Sequence, residues 1–318
     1  ELDRMIAALI DYGHTQELLA DGPLPTRPEP RVPSQSGLLF PGKVLADAAG
    51  NRLFIADSGH HRILVTDWDG RIQGFFGTGI PGLIDGPYED ARMRDPQGMA
   101  LFGGSLFVAD TGNHAVRRVD LSSFHVDTVL GNGIISFDRH GGHRGRAQGL
   151  NSPWDLAFLN GIMYIAIAGL HQIWRYDPST EIAQVAIGTG RENITDNPAR
   201  KAALAQPSGL TAGSGILYFA DSETSAIRRY NPVTDEVSTI VGKGLFTFGD
   251  VDGQVESALL QHPLGVAVQK NTLYVADTYN HKVRMIDLSS NTVSTLVGSG
   301  QPGRVEEKRL LLYEPGGL

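Results

Sequence analysis

The feature that most constrains this chain is an internal repeat. Residues 93–133 and 259–300 align along their whole lengths, sharing the string Leu-aromatic-Val-Ala-Asp-Thr, an Asn-His pair, Asp-Leu-Ser-Ser and a final Gly-x-Gly. Self-similarity at a fixed period is typical of repeat architectures. A proline near the start of the repeat recurs every 52 to 57 residues, at Pro41, Pro96, Pro153, Pro207, Pro263 and Pro315. The chain therefore contains five complete repeats and the start of a sixth.

Each repeat contains four short apolar runs, which in the second repeat are residues 98–102, 105–109, 115–120 and 125–130. β-Branched and aromatic residues alternate with polar ones, and Gly, Asn and Ser separate the runs, which predicts strands joined by turns. Four antiparallel strands at this period are typical of a β-propeller blade. We predict an all-β, six-bladed propeller over 38–318, with blades near 38–79, 93–133, 150–190, 204–244 and 259–300 and a truncated sixth blade starting at 312.

Glycine is abundant, with 39 of 318 residues. Gly98, Gly209, Gly265 and Gly317 follow the repeat proline by two residues, where the innermost strands approach one another around the axis. A residue without a side chain permits that close approach. The glycine content therefore fits a closed array of blades.

Composition excludes several functional classes. The formal net charge is -8 and charged residues are 19% of the chain, which disfavours a nucleic-acid binder. With no cysteine, the chain has no disulfide, thiolate zinc site or thiol nucleophile. No apolar stretch is long enough to cross a bilayer, and the first residues do not resemble a signal peptide. We expect no membrane segment, no cofactor and a monomer; the cytoplasm is favoured, and secretion stays open.

The strings Asp110-Thr-Gly-Asn113-His114 and Asp277-Thr-Tyr-Asn280-His281 resemble the NHL repeat, known from six-bladed propellers. Ser225 replaces the histidine in the fourth repeat and Ile167 replaces the aspartate in the third. We expect structural roles for the signature residues, with hydrogen bonds inside each blade, because histidines of different blades lie too far apart to share a metal. These residues are Asp57, His61, Asp110, Asn113, His114, His171, Asp221, Asp277, Asn280 and His281.

Longer strings such as Leu39-Phe-Pro-Gly-Lys43 and Ser152-Pro-Trp-Asp155 resemble a subgroup of the family in which a thioredoxin-like domain precedes the propeller. The resemblance implies that any thiol–disulfide oxidoreductase chemistry belongs to that domain. Residues 1–22 carry apolar residues on one helical face, ending near Gly13, as expected of the last helix of such a domain. Residues 23–37 are proline-rich and predict an extended linker.

Candidate binding residues come from two places, the central channel and the linkers between blades. Only Lys43 and Asp155 are charged among the channel-facing positions, and one carboxylate is too few for a calcium or zinc site. The linkers are long and share a face with the Asn-His turns, because the second and fourth strands of a blade run the same way. The candidates are Lys43, Trp154, Asp155, Arg191, Glu192, Phe246, Phe248 and Asp250, with no catalytic residue and no metal ligand.

The leading hypothesis is an interaction or scaffolding module that binds a protein partner. The alternative is a metal-dependent propeller hydrolase, lactonase or lyase acting at the central channel. RNA binding, known for some NHL proteins, comes third because the charge balance is acidic.

Overall fold

The computed structural model describes residues 2–16, 37–303 and 311–318. The chain divides into two units, residues 1–37 and 38–318. In the first unit, helix α1 spans Leu2–Thr15 and exposes its apolar residues. It continues two residues past Gly13, which is buried inside it. Almost all of the proline-rich linker predicted over 23–37 lies outside the described residues.

The second unit is a β-propeller whose strands agree with the repeat pattern. Blade one contains β1 (Pro41–Asp47), β2 (Arg52–Asp57), β3 (Arg62–Thr66) and β4 (Ile72–Phe76). Blade two contains β5 (Gly86–Pro87), β6 (Pro96–Phe102), β7 (Ser105–Asp110), β8 (Ala115–Asp120) and β9 (His125–Leu130). Blade three contains β10 (Gly141–Arg144), β11 (Pro153–Leu159), β12 (Ile162–Ile167), β13 (Gln172–Asp177) and β14 (Ile182–Ile187).

Blades four and five follow the same plan, and all pairs of neighbouring strands are antiparallel. Blade four contains β15 (Asn197–Pro198), β16 (Pro207–Gly213), β17 (Ile216–Asp221), β18 (Ala226–Asn231) and β19 (Glu236–Val241). Blade five contains β20 (Gly253–Gln254), β21 (Gly265–Gln269), β22 (Thr272–Asp277), β23 (Lys282–Asp287) and β24 (Thr292–Val297).

The linkers contribute strands that the sequence pattern does not predict. In blades two to five, the linker that precedes the blade adds a short fifth strand to its outer edge, pairing β5 with β9, β10 with β14, β15 with β19 and β20 with β24. Strands of two to four residues are too short to show an alternating pattern. Part of each linker therefore belongs to the blade it precedes.

The number of blades differs from the prediction. The described residues form five blades, and the expectation of six blades with a truncated sixth is wrong. Residues 311–318 form no strand. They pass between the inner strands of blades five and one, where a Cβ on Gly317 would lie 2.7 Å from the Lys43 Cα. A single extended segment cannot by itself form a four-stranded blade.

The hydrophobic core lies between neighbouring blades. One cluster joins Phe107 of blade two to Trp174 of blade three, and another joins Ile173 of blade three to Phe219 of blade four. A sheet with one apolar face has to bury it against another element. Each blade therefore depends on its neighbours for burial.

A buried aspartate at the end of the second strand connects each of four blades to its linker. In blade two the Asp110 carboxylate accepts hydrogen bonds from the Arg94 backbone N–H at 2.7 Å, from Asn113 at 2.8 Å and from Arg117 at 3.0 Å. Arg117 is fully buried and extends to Asp85 and two carbonyl groups of the same linker. The network thus holds the linker against the blade.

Burial raises the pKa of Asp110 to about 6, while Arg117, Asn113 and the Arg94 amide stabilise the ionised form. The carboxylate is therefore charged at neutral pH. Asp221 makes equivalent contacts with Ala205 N and Arg228, and Asp277 with Gln261 N, Asn280 and Arg284. In blade one Leu64 occupies the arginine position, and Asp57 binds Leu39 N and Arg62 instead.

Blade three replaces this charged pair with apolar residues. Ile167 and Trp174 occupy the positions of the aspartate and arginine, and both side chains are fully buried. The Trp174 indole N–H donates to the side chain of Gln172 at 3.1 Å. Well-packed apolar side chains can replace a buried ion pair without loss of stability, whereas removing one partner leaves an unpaired charge.

The substitution Asp110→Asn tests the buried pair. Its amide N–H₂ would face two donors, Asn113 and Arg117, so we expect the free energy of unfolding to fall by about 3 kcal/mol. The control Asp127→Asn removes half of the exposed Arg118–Asp127 pair and should cost less than about 1 kcal/mol. Urea unfolding at neutral pH measures both, and equal losses would contradict the prediction.

Candidate functional site

The residue before each repeat proline lies at the mouth of the central channel. The residue before each repeat proline has a left-handed backbone, with φ between 44° and 58°, and leads into the inner strand. The second strand ends where the inner strand begins, as shown by the pairing of Asp110 with Pro96. The short 3-10 turn that follows Asp110 therefore lies at the same face. The residues before the prolines are Phe40, Asp95, Ser152, Gln206, His262 and Glu314.

The signature histidines connect neighbouring blades. Each histidine Nδ1 accepts the backbone N–H of the residue before the next repeat proline, and Ser225 uses its hydroxyl oxygen for the same contact. The contacts were expected inside one blade, but they run from each blade to the next. The pairs are His61 with Asp95 at 3.2 Å and His114 with Ser152, His171 with Gln206 and His281 with Glu314 at 3.1 Å.

Hydroxyl groups make a second contact between blades. The first residue of the 3-10 turn donates to the carbonyl oxygen of the next repeat proline, as Thr111 does to Pro153 at 2.6 Å. Ser58, Ser222 and Thr278 make equivalent bonds, to Pro96, Pro263 and Pro315. Among the described residues, no three His, Asp or Glu side chains lie close enough to hold a metal ion.

The two charged residues of the channel bind each other. Lys43 Nζ lies 2.9 Å from both carboxylate oxygens of Asp155, and the Leu210 carbonyl lies 3.4 Å from the same nitrogen. Asp155 also accepts the backbone N–H groups of Leu156 and Leu210 at 2.8 Å. Burial raises the pKa of Asp155 and the Lys43 charge opposes this shift. The pair links blades one, three and four across the channel.

The other candidate residues do not gather into one site. Trp154 is partly buried against the core between blades three and four. Arg191 and Glu192 are exposed on one linker, and Phe246 and Phe248 on another. Asp250 accepts hydrogen bonds from Lys282 and Arg284, so its carboxylate holds its linker to blade five.

A cavity of about 280 Å³ lies away from the channel, at the outer edge of blade one. Arg52, Phe75, Phe76, Tyr88 and Phe124 line it. None of the candidate residues borders this cavity.

Glu223 and Tyr279 are residues at the channel mouth that the motif search does not select. They occupy the centre of the 3-10 turn in blades four and five, where the first three blades have glycine. The signal that could identify them is a difference between repeats at one position, whereas a motif is defined by the residues that the repeats share.

Comparison with known proteins agrees with this geometry. The NHL repeat family model matches residues 260–284, which contain β21, β22 and the Asn-His turn of blade five. NHL repeat-containing protein 2 of Homo sapiens is 41% identical over 317 residues, covering 89% of this chain and 44% of that protein. The chain is an NHL-repeat propeller.

A second relative of the NHL propeller is the protein SUPPRESSOR OF QUENCHING 1, chloroplastic, of Arabidopsis thaliana, which is 42% identical over 100% of this chain and 32% of its own length. The chain thus spans less than half the length of these curated relatives. A streptogramin B lyase structure superposes with a TM-score of 0.52 at 13% identity, covering 80% of this chain and 67% of that one, and shows the fold alone. No helix in the described part of the chain is long and apolar enough to span a membrane.

The contact between His114 and Ser152 predicts a pH effect. Burial, with the Arg94 charge, lowers the pKa of His114 below its usual value. Below about pH 6.5 His114 therefore binds a proton more readily in the unfolded chain than in the folded NHL propeller. The free energy of unfolding falls as pH falls.

The substitution His114→Ser imitates Ser225 and removes this titration. We expect the variant to be less stable by about 1 kcal/mol at about pH 8, with a difference from the parent that narrows towards about pH 5. Urea unfolding across this range measures the difference. A difference that widens on acidification would contradict the prediction.

A double-mutant cycle tests the channel pair. Lys43→Met and Asp155→Asn each remove one partner and should each cost about 3 kcal/mol of unfolding free energy, because the other partner stays buried. The double variant should cost less than the sum by about 1 to 3 kcal/mol. The exposed pair Asp69 and Arg71, changed to Asn and Met, is the control and should couple by less than about 1 kcal/mol. Additive losses at Lys43 and Asp155 would contradict the assignment.

Proposed function

We propose that the NHL propeller is a protein-interaction module that binds its partner through the face carrying the 3-10 turns and the linkers. The observation that supports this is an aromatic side chain held in solvent: Phe246 is 91% exposed in the linker to blade five. Phe248 in the same linker and Phe137 in the linker to blade three are also exposed. Aromatic side chains bury large areas on binding and are common interface anchors.

The ion pair in the channel does not favour a catalytic role. A general acid or base has to exchange a proton with substrate. Lys43 and Asp155 form an ion pair with each other, and their side chains are only 11% and 6% exposed. No observation of this channel favours the metal-dependent hydrolase or lyase, and the likeness to the streptogramin B lyase extends to the fold only.

We further propose that helix α1 packs against a thioredoxin-like domain that precedes the propeller in the longer protein, as the family resemblance implies. Leu2, Met5 and Leu9 lie along one exposed face of the helix. A short amphipathic helix gains most of its stability from burying such a face. In this arrangement the propeller binds the protein on which the thiol–disulfide chemistry of the preceding domain acts.

The binding face is tested by photo-crosslinking followed by reconstitution. A photoreactive residue at Phe246 captures a partner, which is identified, purified and titrated against the propeller. Replacing Phe246 and Phe248 by Ala should weaken that purified interaction by about tenfold or more, because both aromatic anchors are lost.

Val233→Ala is the matched control. Val233 is 90% exposed, but it lies in the hairpin between β18 and β19 at the opposite face. Binding should be unchanged in this variant. A partner whose affinity is insensitive to the phenylalanines, or equally sensitive to Val233, would contradict the proposal.

A further inference from the structure

The channel mouth is surrounded by a ring of side chains, here called the channel rim. It consists of the residue before each repeat proline and the central residue of each 3-10 turn. In blade two, a Cβ on Gly112 would lie 2.6 Å from the Arg94 side chain and 2.8 Å from the Asp95 carboxylate. The rim residues are Phe40, Gly59, Asp95, Gly112, Ser152, Gly169, Gln206, Glu223, His262, Tyr279 and Glu314.

The rim differs between its two sides. Blades one to three have glycine at the centre of the turn, and a Cβ there would meet the neighbouring side chain closer than ordinary contact distance. Blades four and five carry Glu223 and Tyr279 at this position instead. The rim therefore presents functional groups on one side that the other side lacks.

These residues form a continuous cluster with His262. The Tyr279 ring stacks on the His262 ring, with centroids 4.5 Å apart and planes 11° from parallel. Glu223 Oε1 lies 3.9 Å from His262 Nδ1. His262 is partly buried, and this burial lowers its pKa although Glu223 opposes the shift. A neutral His262 supports the tyrosine ring and leaves the charge of Glu223 without compensation.

The rim is negatively charged. Its acidic members are Asp95, Glu223 and Glu314, and none of the rim positions carries lysine or arginine, although the Arg94 side chain lies against Gly112 in blade two. Lys43, the cation inside the channel, is bound by Asp155. Negative charge at the opening of a protein channel attracts cations. An aromatic face beside a carboxylate is the combination that binds a guanidinium or ammonium group.

We propose that the rim of blades four and five binds an arginine or lysine side chain of a basic peptide. The cation lies over the free face of Tyr279, which is 50% exposed, and pairs with Glu223. The inference rests on the proposed function and adds the chemistry of the partner: an extended, positively charged segment that approaches the channel mouth.

The test uses a short fluorescent peptide of alternating glycine and arginine, with an alternating glycine and glutamate peptide for comparison, titrated by fluorescence anisotropy at low salt. The arginine peptide should bind and the glutamate peptide should not. Glu223→Gln and Tyr279→Ala should each weaken binding by about threefold to tenfold. Glu223 is at the surface, so its variant decides the outcome even if Tyr279→Ala reduces stability.

Two variants at the opposite face control for general effects. Trp68→Ala removes an aromatic ring that is also 50% exposed, and Glu236→Gln removes one carboxylate from the start of β19. Both should bind the arginine peptide as the parent does. Equal weakening by Glu236→Gln and Glu223→Gln would mean that the peptide responds only to net charge, and the inference would be overturned.

The two proposals fail separately. If the arginine peptide does not bind but the purified partner still depends on Phe246 and Phe248, the propeller remains an interaction module and the rim assignment is wrong. If the partner ignores both phenylalanines while the peptide still depends on Glu223, binding occurs at the rim and the linker assignment is wrong.

Discussion

In four of the five blades the second strand ends on a carboxylate that is removed from water and has to find donors there. A buried charge without partners is too costly to survive in a folded protein. Asp110 shows how the need is met, with a linker amide, a turn amide and a guanidinium. Because one donor lies in the linker and one in the turn, satisfying the carboxylate fixes the path of the chain before and after the inner hairpin. These hydrogen bonds therefore position the 3-10 turns and the adjoining linker residues.

Bonds between blades then build on these fixed turns. Once a turn is in place, its histidine and its hydroxyl reach the backbone on either side of the next repeat proline. The Lys43–Asp155 pair adds a connection across the channel. The polar residues near the axis are thus occupied in holding the ring together. What remains free for other molecules is the surface above them, which the linkers and the turn centres provide.

The strands and their blades were predictable from the sequence because alternation of apolar and polar residues repeats at a fixed interval. The number of blades was not predictable, since the segment around Gly317 has the repeat proline and glycine but forms no four-stranded sheet. The fifth strands escaped prediction because their pairing uses backbone groups of an edge and hardly any side-chain pattern. The histidine contacts could not be assigned because a repeated residue has the same spacing whether it bonds within a blade or to the next one.

The candidate site was predictable only as a list of positions. Lys43 and Asp155 were recognised as the charged residues of the channel, but their mutual pairing depends on how far a lysine reaches across a ring of blades. Asp250 has the composition of a surface residue, and its neighbours Lys282 and Arg284 are more than thirty positions away. Glu223 and Tyr279 break the repeat, so a search built on recurrence excludes them.

Blade three shows that the aspartate and arginine positions can be replaced during evolution. Its Ile167 and Trp174 occupy the positions at which blades two, four and five have an aspartate and an arginine, so the same scaffold accepts both solutions. A single replacement in those three blades would leave a buried charge unpaired unless another residue takes the partner's place, as Arg62 does for Asp57 in blade one. The two positions should therefore show strong epistasis, and natural variants should replace both residues of a blade together.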